Sequence, residues 1–184
     1  MQKVSALKTK EEINYFLTTA KNIDTRYDLL IRIGITTGLR ISDILSIRIK
    51  DIKNGGVTVR EAKTGKIREV KFDKSLLLDI KRHKRSRLMG DDYLIFSSSK
   101  HHDKPMSRVR AWQIIKSISS SMPSNIRYNE NYEHGTHSLR KTYAQNLYRA
   151  NKDVLEVQEE LNHKYLSTTL LYLLDKDVLD NLPI

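Results

Sequence analysis

Apolar residues three and four apart recur through most of this chain, and one stretch, Val57 to Phe72, breaks that rhythm. There VTVREA and IREVKF alternate, and Lys63-Thr64-Gly65-Lys66 between them supplies a turn. Two short alternating runs around a glycine-bearing turn specify a β-hairpin. Asn54-Gly55-Gly56 marks the turn that leads into it. A short run, Tyr93 to Phe96, is the expected third strand. Any fold for this chain must therefore combine a small strand element with several amphipathic helices.

Thr9 to Glu12 fits a capping box, followed by Ile13, Phe16, Leu17 and Ala20 at helical spacing. A second helix starts at Asp24 or Thr25, turns Tyr27, Leu30 and Ile33 inward, and stops at Gly38. A short helix from about Arg40 buries Ile41, Ile44 and Leu45. Asp73 or Ser75 caps a helix carrying Leu76, Leu77, Ile80 and His83. Ser107 caps another, with Val109, Trp112, Ile115 and Ile118 on one face and Trp112 read as core. Residues 119–136 read as a long loop. Ser138 to Ala150 and Asp153 to Leu161 are helical, and Ser167 is the expected N-cap of a last helix bearing Tyr172 on its second turn. No repeat or linker divides the 184 residues. They are read as one domain, with a core over 1–174 and a short tail over 175–184.

Charge narrows the function classes. Lys and Arg number 33 against 22 Asp and Glu, a net +11. Residues 60–116 alone hold sixteen basic and seven acidic side chains, while Asp153 to Ile184 holds two and seven. One surface is thus suited to a polyanion, DNA or an anionic membrane, and the tail is not. The densest basic cluster, KRHKRSR at 81–87, offers Arg82, Lys84, Arg85 and Arg87 to phosphates. No apolar run approaches the ~18 residues of a membrane span. The opening residues show no signal-peptide core, and a cytoplasm, with its DNA, is the expected location. Without cysteine there is no disulfide, thiolate chemistry or Cys-based zinc site. His101-His102-Asp103 lies in a Ser/Lys-rich loop without further spaced ligands, so no metal is assigned there.

The chemistry gathers in the run from His137 to Tyr172. His137 and Arg140 lie three apart and share a helix face. His163 follows, and Tyr172 stands nine residues beyond it. His-x-x-Arg, then Leu-x-His, then Tyr, in that order and spacing, resembles the C-terminal signature of the tyrosine recombinases, the phage integrase family. Gly38-Leu39-Arg40-x-x-Asp43-Ile44-x-x-Ile47 resembles the family's first motif. The likeness runs from about Lys8 to Leu174. One departure is Asn162, where the family usually has glycine before the second histidine; Asn tolerates the left-handed backbone better than most residues.

The resemblance implies a mainly helical catalytic domain, α+β, with a small three-stranded antiparallel sheet at one edge. It implies a catalytic set of Arg40, Lys63, His137, Arg140, His163 and Tyr172, with Asp43 supporting neighbouring backbone or Arg40. Lys63 matches the hairpin lysine of the family, and Lys66, after the glycine, is its competitor and otherwise a DNA contact. Two guanidiniums suit the non-bridging oxygens of a phosphodiester. Tyr172 would form a covalent 3′-phosphotyrosine, His137 would accept its proton, and His163 would donate to the phosphate. Lys63 would protonate the departing 5′-hydroxyl. Neither a cofactor, ATP nor a metal is needed by such a set.

The expected function is site-specific recombination of double-stranded DNA. The alternatives are a nicking-closing topoisomerase with the same chemistry and a non-catalytic DNA-binding module. The family further implies tetramers acting on paired sites; the chain is expected to be a monomer when free, and an accessory DNA-binding protein is a further expected partner. Most members carry an N-terminal DNA-binding domain, and none is expected within these 184 residues. An apolar stripe of Leu173, Leu174, Val178, Leu179 and Leu182 is expected to join adjacent copies, the alternative being that the tail folds back on its own domain.

Overall fold

The computed structural model describes residues 4–98, 101 and 103–174. The order is α1 (Lys10–Ile23), α2 (Thr25–Thr37), α3 (Ile41–Leu45), a 3-10 turn (Ile49–Asp51), β1 (Ile52–Lys53), β2 (Gly56–Arg60), β3 (Ile67–Lys71), α4 (Lys74–Ser86), α5 (Arg108–Ser120), α6 (Thr136–Asn151), α7 (Val154–Glu160) and α8 (Leu166–Leu173). The architecture is the mixed, mainly helical one expected, with one three-stranded antiparallel sheet in the order β1-β2-β3. The hairpin register sets Val57 opposite Val70 and Arg60 opposite Ile67. The third strand is not Tyr93 to Phe96. It is Ile52–Lys53, paired to β2 across the Asn54-Gly55 turn. Two residues are too few to show alternation, so sequence periodicity cannot reveal them. Leu94 makes only an isolated bridge to Arg48.

Helix α2 is the hub. Leu29, Leu30, Ile31 and Ile33 are each at most 1% exposed, because α1, α3, α4 and α6 all pack on it. Each such side chain contributes about 1.5–3 kcal/mol on burial. Its ends follow local chemistry. Asp24 accepts from the Arg26 N–H, and Gly38 closes the helix at φ +62°, a conformation that costs glycine nothing. Gly34 lets α6 approach: a Cβ there would lie 2.7 Å from Leu139 Cδ1. That close crossing brings the start of α6 beside the end of α2.

Other caps agree with the sequence. Thr9, Asp73 and Ser107 each accept from a backbone N–H one turn on. Three local readings need correction. Trp112 is 48% exposed and Val109 63%; the buried stripe of α5 is Ala111, Ile114, Ile115 and Ile118. Ser167 lies inside α8, whose N-cap is Tyr165, because the Thr168 N–H already bonds the Tyr165 carbonyl. The loop into α6 ends at Gly135, so His137 is helical.

A second, smaller core of Ala144, Tyr148, Val157, Leu161 and Leu173 joins α6, α7 and α8. Leu173, expected in an intersubunit stripe, is thus buried within its own chain. Val178, Leu179 and Leu182 lie outside the described residues.

Candidate active site

Five segments meet at one cleft of about 290 Å³, and Arg40, Lys63, His137, Arg140, His163 and Tyr172 all line it. Arg40 arrives as the N-cap of α3, Lys63 in the β2–β3 turn, and His137 and Arg140 on the first turns of α6. His163 comes from the α7–α8 connection, and Tyr172 from the second turn of α8.

Tyr172 Oη lies 3.2 Å from His137 Nδ1. The Tyr172 ring meets the His163 ring edge-on, with centroids 5.0 Å apart. His163 Nδ1 is 3.0 Å from Thr169 Oγ1. Arg140 is 2% exposed. Its two terminal nitrogens donate to the carbonyls of Gly38 and Leu161, so the αL end of α2 directly fixes this guanidinium. Arg140 Nε is buried without a protein partner among the described residues. Arg40 Nη1 stands 2.6 Å from Glu61 Oε2, not on Asp43. Asp43, 1% exposed, accepts instead from the Ala62 N–H at 3.0 Å. It therefore holds the backbone of the lysine-bearing turn.

Charge in the cleft is strongly positive, and the imidazoles feel it. Burial, then Arg140 and Arg40, draws His163 down to about 4. Desolvation by its neighbours, then Arg140, Lys141, Arg40 and Lys63, holds His137 below its ordinary value. At neutral pH both rings are therefore uncharged. Burial, with Arg40 beside it, brings Arg140 down to about 10, and it remains a cation. Burial pushes the Glu61 carboxyl up, but the Thr64 hydroxyl, Arg40 and Arg140 more than reverse this. Glu61 is an anion at the back of the cleft.

Glu61 and Asn162 are site residues whose contacts the sequence reading missed. Glu61 had a signal: Val57, Val59 and Glu61 share the inward parity of the strand, and a charged residue on that face needs a partner. Arg108, Ser42, Thr136 and Thr168 also line the cleft and carry no sequence mark of it. The predicted DNA contacts are elsewhere. Arg82, Lys84 and Arg87 pair with Asp79, Asp91 and Asp24, and Arg85 is exposed. They sit at the Asp24 end of α2, roughly 20 Å along that helix from the cleft. Lys66 is engaged by Asn162 Oδ1 at 2.6 Å. Among the described residues no cluster of His, Asp and Glu could hold a metal, and no helix is long and apolar enough to cross a membrane.

The family model described as "Phage integrase family" matches residues 8–177. The chain is 32% identical over 179 residues to "Probable integrase/recombinase YoeC" of Bacillus subtilis, covering 96% of this chain and 92% of that one. It is 32% identical over 178 residues to the tyrosine recombinase XerH of Campylobacter jejuni, covering 92% of this chain and 48% of that protein. The tyrosine recombinase XerA of Pyrococcus horikoshii is 27% identical over 166 residues, with 89% and 55% covered. The chain thus spans about half the length of these two Xer relatives. Among solved structures, XerH bound to a palindromic difH substrate in a post-cleavage complex superposes with a TM-score of 0.72. It is 27% identical, and 97% of this chain and 52% of that one are covered. XerA recombinase superposes at 0.75 with 20% identity, covering 97% and 64%, a likeness of fold.

Proposed function

This chain belongs to the phage integrase family, and on that premise we propose that it is a site-specific DNA recombinase that cuts and rejoins strands through a 3′-phosphotyrosine. The observation that carries this reading is the 3.2 Å approach of His137 Nδ1 to Tyr172 Oη inside a cleft shared with Arg40 and Arg140. A hydroxyl within hydrogen-bond reach of an uncharged imidazole, facing two fixed cations, suits attack on an anionic phosphodiester.

Tyr172 Oη forms the new bond to phosphorus and passes its proton to His137. The bond to the deoxyribose 5′-oxygen breaks, and that oxygen takes a proton from Lys63. Arg40 and Arg140 offset charge on the non-bridging oxygens. Thr169 Oγ1 donating to His163 Nδ1 leaves the ring proton on Nε2, free to donate to the same phosphate. The phosphotyrosine keeps the bond energy, so a second 5′-hydroxyl can reverse the step with no nucleotide consumed. XerH, a relative of this chain, is described bound to its difH substrate; double-stranded DNA is the partner proposed here.

We further propose that residues 1–174 act as a catalytic domain that is monomeric when free and assembles as a tetramer on paired sites, with an accessory DNA-binding protein as a further partner. The test scores two products from one supercoiled plasmid carrying two candidate sites. Exchange between the sites supports the reading. Relaxation without exchange points to a nicking-closing enzyme, and neither product removes both.

A further inference from the structure

The turn that carries Lys63 is clamped at both ends by one side chain. Within the turn, the Glu61 N–H donates to the Lys66 carbonyl at 2.9 Å and the Gly65 N–H to the Glu61 carbonyl at 2.8 Å. Thr64 Oγ1 donates to Glu61 Oε2 at 2.7 Å. Asn162 then spans the loop from outside. Its Nδ2 donates to Glu61 Oε2 at 3.1 Å, and its Oδ1 accepts from Lys66 Nζ at 2.6 Å. Only one amide orientation meets both an anion and an ammonium, so the clamp fixes its own geometry. Lys63 stands between the two clamped residues and is exposed at the cleft.

Asn162 has φ +53°, where glycine would be at ease and most side chains strained. A glycine there would give the backbone everything it needs and would leave the Lys63 turn untied. We propose that Asn162 is a positioning residue, whose amide ties the Lys63 turn, through Glu61 and Lys66, to the segment bearing His163. The amide thereby brings the proton donor into register with the phosphate-binding imidazole, which Thr169 holds separately at 3.0 Å, and Lys66 serves the reaction by holding the turn. This rests on the recombinase reading above and deepens it.

The test compares two nicked suicide duplexes, one with the natural oxygen leaving group and one with sulfur at the bridging 5′ position, which departs without a proton. Asn162→Gly removes the clamp without disturbing the backbone, so its melting curve should stay close to wild type. On the oxygen substrate it should slow cleavage by roughly 10- to 100-fold, the scale of a reacting group held slightly out of place. On the sulfur substrate it should cleave as wild type does. Lys66→Met should behave alike, and the double variant should lose no more than either single one, since both cut the same tie. Equal slowing on both substrates, or no slowing on oxygen, overturns the proposal while leaving the recombinase reading intact. A wild-type protein that cleaves neither substrate overturns both.

Discussion

Lys63 is exposed in its turn, whereas Glu61 and Arg140 are buried beside it, so substitutions at these positions act in different ways. Arg40, Lys63, His137, Arg140, His163 and Tyr172 stand in a recognisable order, and all six line one cleft. Glu61 does not announce itself, because a carboxylate at a strand end is usually solvated; only its inward parity hints at the ion pair with Arg40. Four outcomes belong to Lys63, Glu61 and two histidines, His137 and His83. Lys63→Ala should reduce cleavage of the oxygen substrate by roughly 10²–10⁴-fold, with recovery on bridging sulfur; recovery by Lys66→Ala with Lys63→Ala left inactive would move the donor to Lys66. Glu61→Gln should slow both substrates, since it frees Arg40 as well as loosening the Lys63 turn, and bridging sulfur can relieve only the second loss. The same suicide duplexes distinguish these patterns. Acid should act through the imidazoles. His137 is held below its ordinary 6.5, so its uncharged form persists at neutral pH, and cleavage should fall only in acid stronger than an ordinary imidazole needs for protonation. His83, 4% exposed, is drawn down to about 4 mainly by burial. The unfolded chain binds its proton first as pH falls from about 6.5 toward 4, so stability should decline across that window. Thermal melts at several pH values should show this, and His83→Leu should flatten the decline.

Elements with local signals were legible and elements settled by packing were not. The capping residues of α1, α2, α4 and α5 and the Val57 to Phe72 hairpin follow from side-chain chemistry and alternation. The third strand, two residues long, carries no period. On α5, Val109, Trp112, Ile115 and Ile118 compete with Ala111, Ile114, Ile115 and Ile118 as the buried stripe, and packing against α1, α3 and α6 selects the second. The α2–α6 crossing gives a prediction of its own. Gly34→Leu should force the helices apart at Leu139 and cost roughly 1–3 kcal/mol, measured by denaturant melts. It should also weaken cleavage, because Arg140 depends on the Gly38 carbonyl. Helix α4 tests the path of the DNA. Its basic end lies far from the cleft, yet duplex DNA is long enough to meet both. If it does, changing Arg82, Lys84, Arg85 and Arg87 together to Ala should flatten the slope of log K against log salt by about 0.9 for each phosphate no longer neutralised. An unchanged slope would leave Arg82, Lys84 and Arg87 to their Asp79, Asp91 and Asp24 pairs alone and take Arg85 off the DNA.

As a whole molecule, the chain builds its cleft from parts distant in sequence. One helix hub ends in a left-handed glycine whose carbonyl anchors Arg140. A hairpin supplies Lys63, and a second small core seats α8 so that Tyr172 faces His137. The six polar groups then surround a space suited to one phosphodiester, with Tyr172 placed to attack it. A nicked suicide duplex, whose cut fragment diffuses away and prevents rejoining, tests this most directly. After incubation the protein is denatured, digested and analysed by mass spectrometry for a nucleotide-bearing peptide. Wild-type protein should carry the 3′-phosphate on the peptide containing Tyr172, and Tyr172→Phe, folded and still bound to DNA, should carry none. An adduct on another residue, or one that survives in Tyr172→Phe, would contradict the account.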